Sequence, residues 1–125
     1  MKVLVLSNGN FIQKEIETGL DALQKEVEGY IEIPFLSEKL YNKGIDMIIN
    51  EEGKMIDGLQ VEIAVVHQGR ILDIVFGNVV FASHDDEGNT IGLTEEQIQF
   101  IMQELNTQAI IERGKYIDMV RVLSI

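Results

Sequence analysis

The amino-acid sequence predicts an α+β fold, namely a mostly antiparallel β-sheet with two helices packed on it. Short β-branched apolar runs recur along the chain, and turn residues such as Asn8-Gly9 and Gly88-Asn89 separate them. Two stretches, near residues 18–29 and 94–106, instead have apolar side chains at helical spacing. With 125 residues, the chain is expected to form a single domain, residues 1–125, that buries about two thirds of its unfolded surface.

The first elements are predicted to be a hairpin and a helix. Asn8-Gly9 is the strongest hairpin signal in the sequence, and it joins a strand at residues 2–7 to a return strand at residues 11–17. Thr18 is placed to cap the helix that follows. Three apolar residues share one face of this helix, and a glycine ends it: Leu20, Leu23, Val27 and Gly29.

Strands dominate the middle of the chain. Residues 30–36 alternate as a strand, which must end or lie at a sheet edge because Pro34 has no N–H to donate. The polar residues 37–44 carry no pattern that assigns a structure to them. Further strands are predicted at three apolar runs, which are residues 45–50, 59–67 and 71–76.

The stretch from Gly77 to Gln97 carries the clearest local signals. Residues 79–82 predict a strand, and the polar residues 84–89 are expected to leave it as an acidic loop. Thr94 opens a helix with a capping box, in which it exchanges hydrogen bonds with Gln97. Loops held by a rigid frame often carry binding groups, so we expect a binding site in this loop.

The helix that begins at Thr94 is expected to run to about Asn106. Its buried stripe is predicted to consist of Ile98, Ile101, Met102 and Leu105. Two interpretations remain open for residues 107–114: they form a hairpin with the residues after them, or they extend the helix to a stop at Gly114. We favour a break in the helix followed by a terminal strand.

The charge balance excludes several classes of partner. The chain has 21 acidic and 10 basic residues, which gives a formal net charge of −11. A DNA or RNA duplex and an anionic membrane both require a basic face, so neither is expected as a partner. The sequence has no cysteine, which excludes disulfides and thiolate metal sites. It also has no signal peptide or apolar run that could span a membrane, so we expect a soluble cytoplasmic protein.

Few residues are arranged as catalytic or metal-binding motifs. His67 and His84 are not at the spacing of metal ligands, and no third ligand is evident. The acidic residues 85–87 do not fit a calcium loop, because Thr94 would occupy the position of its bidentate glutamate. Neither a nucleophile elbow nor a glycine-rich phosphate loop is present. We therefore predict a protein that is not an enzyme and has neither a metal site nor a cofactor.

Five residues are candidates for ligand contacts, and each also has a structural alternative. Phe81, beside the polar loop, can stack on a base or pack in the core. Asn89 and Thr90 can hydrogen-bond a ribose or a base edge, or they can form a turn. Arg113 and Arg121 can bind phosphate in bidentate fashion, or they can make surface salt bridges.

Several short motifs occur in an order that resembles a family of small phage and mobile-element domains long described as of unknown function. They are Asn50–Lys54, the strand Val61–His67, the run Asp73–Phe81, and Asp86–Gly88 ahead of Gly92–Gln97. Within that family, the chain resembles the Thoeris anti-defence proteins, which act as signal sponges. The resemblance extends over about residues 20–105.

The resemblance implies a binding function without catalysis. Such sponges bind a cyclic ADP-ribose isomer made by bacterial TIR-domain proteins and hold it without cleaving it, and some members also bind cyclic oligonucleotides. The family's ligand lies at a subunit interface, which implies a homodimer or higher oligomer. Its base stacks on an aromatic residue near an asparagine, and arginines contact its pyrophosphate. These roles fall on Phe81, Asn89 and Arg113, with Arg121 as a further candidate.

A second function from another class stays open. The chain can be an acidic protein-binding module of a phage or mobile element, whose surface mimics nucleic acid or covers a basic partner, as anti-restriction proteins do. An exterior with a net charge of −11 repels a dianionic ligand at long range, so a sponge must recognise its ligand through local contacts.

Overall fold

Two β-sheets and three α-helices make up the fold, which a computed structural model describes over residues 1–125. The strands are β1 (Lys2–Ser7), β2 (Asn10–Glu15), β3 (Ile31–Glu32), β4 (Ile45–Asn50), β5 (Val61–His67), β6 (Arg70–Phe76), β7 (Val79–His84), β8 (Thr90–Ile91), β9 (Gln108–Arg113) and β10 (Tyr116–Ser124). The helices are α1 (Leu20–Val27), α2 (Glu38–Asn42) and α3 (Glu95–Glu104), with a 3-10 turn at Gly53–Met55. The predicted α+β class is confirmed.

The first sheet has the strand order β2-β1-β7-β4-β3, with β8 paired to the end of β7. The predicted hairpin at its edge is confirmed, because β1 and β2 pair through Ser7 and Asn10. Asn8 and Gly9 form the turn with φ of 52° and 80°, the positive values that the sharpest hairpin turns require. Helix α1 packs on one face of this sheet through Leu23 and Val27. The other face is therefore left for the main core.

The second sheet has the strand order β6-β5-β10-β9. Strand β10 runs parallel to β5, and all other strand pairs in the fold are antiparallel. Residues 108–113 pair with β10 as a hairpin that turns at Gly114, so the hairpin alternative is confirmed. The favoured helix break and terminal strand are also present, but that interpretation did not include β9, a strand that depends on a pairing partner that local sequence signals do not reveal.

The main core lies between the two sheets and is closed by α3. The first sheet contributes Leu4, Leu6 and Phe81, and the second contributes Ile63, Val65 and Leu123. Helix α3 adds Ile98, Ile101 and Leu105 to the same cluster, whereas Met102 is exposed and does not belong to the predicted stripe. The predicted capping box is present: Thr94 Oγ1 accepts from Gln97 N at 3.2 Å, and Gln97 Oε1 accepts from Thr94 N at 2.9 Å.

Helix α1 begins differently from the prediction. Its N-cap is Gly19, which has a φ of 108° and no side chain, so Thr18 does not cap it. Leu20 is exposed rather than part of the buried face. The helix ends at Val27, and its C-cap, Glu28, adopts a left-handed conformation with a φ of 61°. A glycine was expected in that conformation, and Gly29 only follows it.

The strand before Pro34 is shorter than predicted. Strand β3 contains only Ile31 and Glu32 and lies at the edge of the first sheet, the position that Pro34 favours. The stretch that carried no assignment contains α2, which begins where Ser37 Oγ accepts from Leu40 N at 3.2 Å. Among the three helices, none combines the length and apolar character that crossing a bilayer demands.

Candidate functional site

Phe81 lies in the middle of the core, which removes it from the predicted site. Strand β7 continues to His84 instead of ending near Ala82, so Phe81 lies well inside the strand, between β1 and β4. Its side chain is 0% exposed, and its ring centroid is 6.4 Å from that of Phe11. No face of the ring is open to a base. The core-packing alternative is therefore the role that this residue has in the structure.

Asn89 and Thr90 lie at the loop after β7. Asp85 Oδ1 accepts from the backbone N–H groups of Glu87 and Asn89, and Asn89 Nδ2 donates to Asp85 Oδ2 at 3.0 Å. These bonds form a turn, which is the structural alternative given above for Asn89. The hydrogen bond from the Asn89 side chain is also the main cause of the lowered pKa of Asp85. Asn89 Oδ1 and the Thr90 hydroxyl make no hydrogen bond within the chain. Both stay free to contact a ligand.

Arg113 is bound by groups of its own chain. Its Nε donates to Asp118 Oδ2 at 2.9 Å, and one Nη lies 2.7 Å from the same oxygen and 3.1 Å from the Leu59 carbonyl oxygen. The guanidinium carbon is 5.1 Å from the ring centroid of Phe76 and 5.2 Å from that of Tyr116. These contacts match the salt-bridge alternative for this residue.

Arg121 also has internal partners. Its Nε and one Nη donate to the Gly9 carbonyl oxygen at 3.1 and 2.9 Å, and the other Nη donates to the Leu105 carbonyl oxygen at 3.3 Å. The guanidinium lies 4.9 Å from the ring centroid of Phe11. Leu105 ends α3, where a cation is electrostatically favourable. Arg121 therefore ties the β1–β2 turn to the end of α3, and it shares no hydrogen-bond partner with Arg113 or Asn89.

A row of three rings lies next to the predicted loop, and no sequence motif had indicated it. The ring centroids of Phe35 and Tyr41 are 5.2 Å apart, and those of Tyr41 and His84 are 5.4 Å apart. His84 Nδ1 lies 3.0 Å from Asp46 Oδ2, which fixes the orientation of the imidazole. His84 pairs across the strands with Thr90. The row therefore runs from the predicted loop to Phe35.

Phe35 lies at the mouth of a cavity of about 510 Å³, which we call the aromatic groove. The groove lies between the start of α2, the β5–β6 turn region and the last residue of the chain. Its walls are Phe35, Leu36, Ser37, Glu38, Lys39, His67, Leu72 and Ile125. Phe35 is 65% exposed, so its ring is available for stacking. The groove therefore combines the open ring of Phe35 with two basic side chains, Lys39 and His67, and one acidic side chain, Glu38.

The sequence pattern gives only a weak indication of the residues that form this groove. Pro34 ends β3, which frees Phe35 from the sheet, and Tyr41 belongs to a helix of five residues, too short to show a periodic pattern. His67 was singled out only as a possible metal ligand. Its Nδ1 lies 2.6 Å from the Ile125 carbonyl oxygen, a partner 58 residues away. Only the fold brings these residues together.

A second cavity of about 510 Å³ lies on another part of the surface, and we call it the Glu62 cleft. Glu62 is 1% exposed, and its neighbours Val61 and Ile63 are also buried, so β5 is buried on both faces at this point. The pairing register of β5 with β6 is irregular between Val61 and Ile63. The carboxylate oxygens accept from Asn8 N and Gly9 N, both at 2.9 Å. Glu62 therefore joins the second sheet to the β1–β2 turn.

Burial raises the pKa of Glu62 above its usual value, and the nearby Asp118 carboxylate raises it further. The two backbone N–H donors act in the opposite direction, and burial is the largest effect. Arg113 contacts Asp118 rather than Glu62. Glu62 is the buried ionisable group whose pKa is perturbed in this fold, and it lines a cavity. This combination was missed because alternation in a strand says nothing of what the opposite face meets.

We expect the stability of the native sequence, relative to Glu62→Gln, to fall as the pH rises above 4.5 and through the raised pKa of Glu62 in the folded state. The folded state holds the Glu62 proton more tightly than the unfolded chain does, so its stabilising contribution is complete below 4.5 and is lost progressively as the pH rises through the higher pKa of the folded state. Urea unfolding at several pH values measures this difference. Glu17→Gln, at an exposed site, is the control and should show no such trend. A difference independent of pH would contradict the raised pKa.

The chain matches one known protein family and no solved structure. A family model described as "Domain of unknown function (DUF3846)" matches residues 1–106. Curated proteins and solved structures yield no match to the chain. The matched residues contain the aromatic row and Glu62, whereas β9 and β10 lie beyond them. In the structure, no group of three or more histidine, aspartate or glutamate side chains is arranged to hold a metal ion.

Proposed function

We propose that this chain, which belongs to the DUF3846 family, sequesters a cyclic ADP-ribose-type signal without cleaving it. The signal is the kind made by bacterial TIR-domain proteins, and the chain acts in the host-cell cytoplasm like the Thoeris anti-defence proteins that it resembles. One observation carries the proposal: the exposed ring of Phe35, which ends a row of three rings, lines a groove of about 510 Å³ that also contains Lys39, His67 and Glu38. Cavities of this size accommodate small-molecule ligands.

The base of the ligand is placed on the open ring of Phe35, because aromatic side chains stack on the faces of bases. Phe35 also contacts the edge of Tyr41, which steadies it in that position. Asn89 Oδ1 and the Thr90 hydroxyl lie at the far end of the row, beside His84, where a ribose can reach them. The loop that was predicted from sequence thus keeps a part in the proposed site.

The phosphates are placed near Lys39 and His67 rather than near the two arginines. Arg113 and Arg121 already hydrogen-bond groups of their own chain, and moving them would leave those groups unpaired. Lys39 is mostly exposed, and its ammonium lies 3.7 Å from Glu104, a loose contact that a phosphate can replace. Salt screens exposed charges beyond about 8–10 Å, so the net charge of −11 opposes binding mainly through nearby acidic residues, of which Glu38 lines the groove.

A second copy of the chain would complete the site in this proposal, since an open groove gives a ligand walls on few sides. Enclosure between copies excludes water and strengthens the ionic contacts. Cyclic oligonucleotides are the next class of ligand to consider, as they also carry bases and phosphates. Sequestration requires no catalytic group, only tight binding and sufficient protein.

Calorimetric titration with cyclic ADP-ribose isomers tests the proposal. We expect saturable binding, and recovery of the intact isomer by chromatography after the protein is heated. Phe35→Ala should weaken binding by about 5- to 150-fold, the equivalent of about 1–3 kcal/mol for one stacked base. Tyr30→Ala is the matched control, because Tyr30 is 67% exposed and lies outside the groove. A converted isomer would indicate an enzyme, and equal binding by both variants would exclude the groove.

The charge of the chain favours a second candidate function, an acidic module that binds a basic protein. Its net charge of −11 arises from 21 acidic residues on a chain of 125. Such a module would bind no cyclic nucleotide, and its association with a basic partner would weaken steeply with added salt. Absence of binding to every cyclic nucleotide in the titration would favour this candidate over the sponge.

A further inference from the structure

Strand β9 is an edge of the second sheet, and one side of its backbone has no partner within the chain. Val122 N donates to the Thr107 carbonyl oxygen at 2.9 Å, which fixes how the β9–β10 ladder alternates. Residues that bond to β10 and residues that point away from it follow each other along β9. The residues whose N–H and C=O groups point away are Gln108, Ile110 and Glu112. Because β9 pairs with β10 alone, these groups are free to bond a further strand.

Two of the other sheet edges are short or covered. Strand β3 has two residues, and Pro34 follows it closely. In β6, Asp73 Oδ1 accepts from the Ile74 N–H at 2.8 Å. The 3-10 turn lies so close to β6 that a Cβ atom on Gly53 would be 2.9 Å from the Phe76 carbonyl oxygen. Proteins protect edges in these ways against pairing with other chains, and β9 has neither a cover nor a capping side chain.

The residues of β9 are complementary to a second copy of the same strand. Two copies related by a two-fold axis pair antiparallel, with residues of the same face opposite each other. If the axis passes through Ile110, the outward-pointing groups of both copies meet. Gln108 then lies opposite the partner's Glu112, so an amide faces a carboxylate and no like charges are opposed. An axis one residue further along, at Ile111, would instead place Ile110 opposite the partner's Glu112.

Exposed apolar side chains favour the axis at Ile110. Ile110 is 62% exposed and lies opposite Met119 of β10, which is 44% exposed. Pairing at Ile110 joins these side chains into one apolar row across four strands, from Met119 to the partner's Met119. Cross-strand contacts of this kind remove apolar surface from water. We propose that β9 is a homodimer interface, at which two copies pair antiparallel about a two-fold axis at Ile110 and their second sheets become one continuous sheet.

This interface is separate from the aromatic groove. Leu72 of β6 and His67 of β5 line the groove, whereas β9 is at the opposite edge of the same sheet. A dimer through β9 therefore leaves both grooves open, and a copy that closes a groove must bind at another surface. The inference does not depend on the cyclic nucleotide, and its tests use none, so its failure and the failure of the proposed function are distinguishable.

A single cysteine tests the interface and its register, because the chain has no cysteine of its own. The Cα atoms of a hydrogen-bonded antiparallel pair are about 5.5 Å apart, within the roughly 4.4–6.8 Å that a disulfide spans. Full-length Ile110→Cys should therefore form a covalent dimer under mild oxidation, seen by non-reducing electrophoresis. Ile117→Cys is the matched control, because Ile117 is 71% exposed in the same hairpin but belongs to β10, away from the axis. Cross-linking of Ile110→Cys no faster than that of the control would overturn the inference.

Sedimentation equilibrium of the native chain tests the same interface without a cross-link. We expect a dimer whose fraction rises with protein concentration and with added salt, because salt screens the repulsion between two chains of net charge −11. Ile110→Pro removes the outward N–H and no bond to β10, which an edge strand tolerates. It should weaken dimerisation about ten-fold or more, since two hydrogen bonds are lost across the axis.

Gln13→Pro is the control for this variant, because it removes an outward N–H from β2, the edge of the first sheet. It should dimerise like the native chain. Equal weakening by both proline variants would mean that the effect is not local to β9 and would overturn the inference. A native chain that stays monomeric at every concentration would also overturn it, and would leave the edge to a strand of a different protein.

Discussion

We expect Phe81→Ala to lower the free energy of unfolding by about 3–5 kcal/mol, the range for truncating a large core residue. The ring is fully buried between the sheets, in one cluster with Leu4, Ile63 and Ile98, and it packs against Phe11. Its removal leaves a cavity that the neighbouring side chains cannot fill without moving. Urea unfolding, monitored by circular dichroism, measures the change.

Phe35→Ala is the matched control for this experiment, because it removes the same side chain from an exposed position. Its loss should stay below about 1.5 kcal/mol, the upper range for one aromatic pair. From the sequence, Phe81 had been a candidate for base stacking. A Phe81→Ala variant of unchanged stability that no longer binds the cyclic nucleotide would restore that role and contradict the core assignment.

We expect Arg113→Ala to lower the free energy of unfolding by about 1–3 kcal/mol, the cost of leaving a buried acceptor without its donors, because Asp118 is buried whereas Arg113 is partly exposed. Asp118 is buried, and Arg113 supplies its two charged contacts, at 2.9 and 2.7 Å. Without the guanidinium, Asp118 keeps only a bond from Val61 N at 3.4 Å. The Leu59 carbonyl oxygen also loses its donor. Chemical denaturation again provides the measurement.

Arg70→Ala is the control, because it removes the same charge from an exposed arginine without an ion-pair partner. Its stability should stay within about 0.5 kcal/mol of the native chain. Replacing Arg113 and Asp118 together by apolar residues should recover most of the loss, since no unpaired charge is then buried. If Arg113→Ala instead kept full stability and lost the cyclic nucleotide, the arginine would belong to the ligand site.

Local chemistry explains which elements were predictable. The β1–β2 turn follows from Asn8 and Gly9, which tolerate the positive φ values of 52° and 80° found there. The start of α3 follows from Thr94 and Gln97, whose reciprocal bonds join atoms only three residues apart. Pro34 predicted an edge position because it lacks an N–H in any environment. In each case the cause lies within a few residues, so the sequence alone reveals it.

Longer-range contacts explain why some elements were predicted only in part. Strand β9 pairs with β10 across Gly114, and β10 in turn pairs in parallel with β5, where Arg121 lies opposite Ile63 from a distant part of the chain. Whether residues 107–114 continue a helix or form a strand depends on that sheet being present. Local propensity is a weak guide where a pairing partner decides the outcome.

The sequence by itself determined the α+β class, the hairpin turn and the capped helix, along with the net charge of −11. These depend on side-chain type and on spacings of a few residues. Only the tertiary structure decided the roles of Phe81, Arg113, Arg121 and Glu62, because burial and partners from distant segments set those roles. It also brought Phe35, Tyr41 and His84 into one row. Spatial proximity between distant segments is a property of the packed chain, which no local pattern encodes.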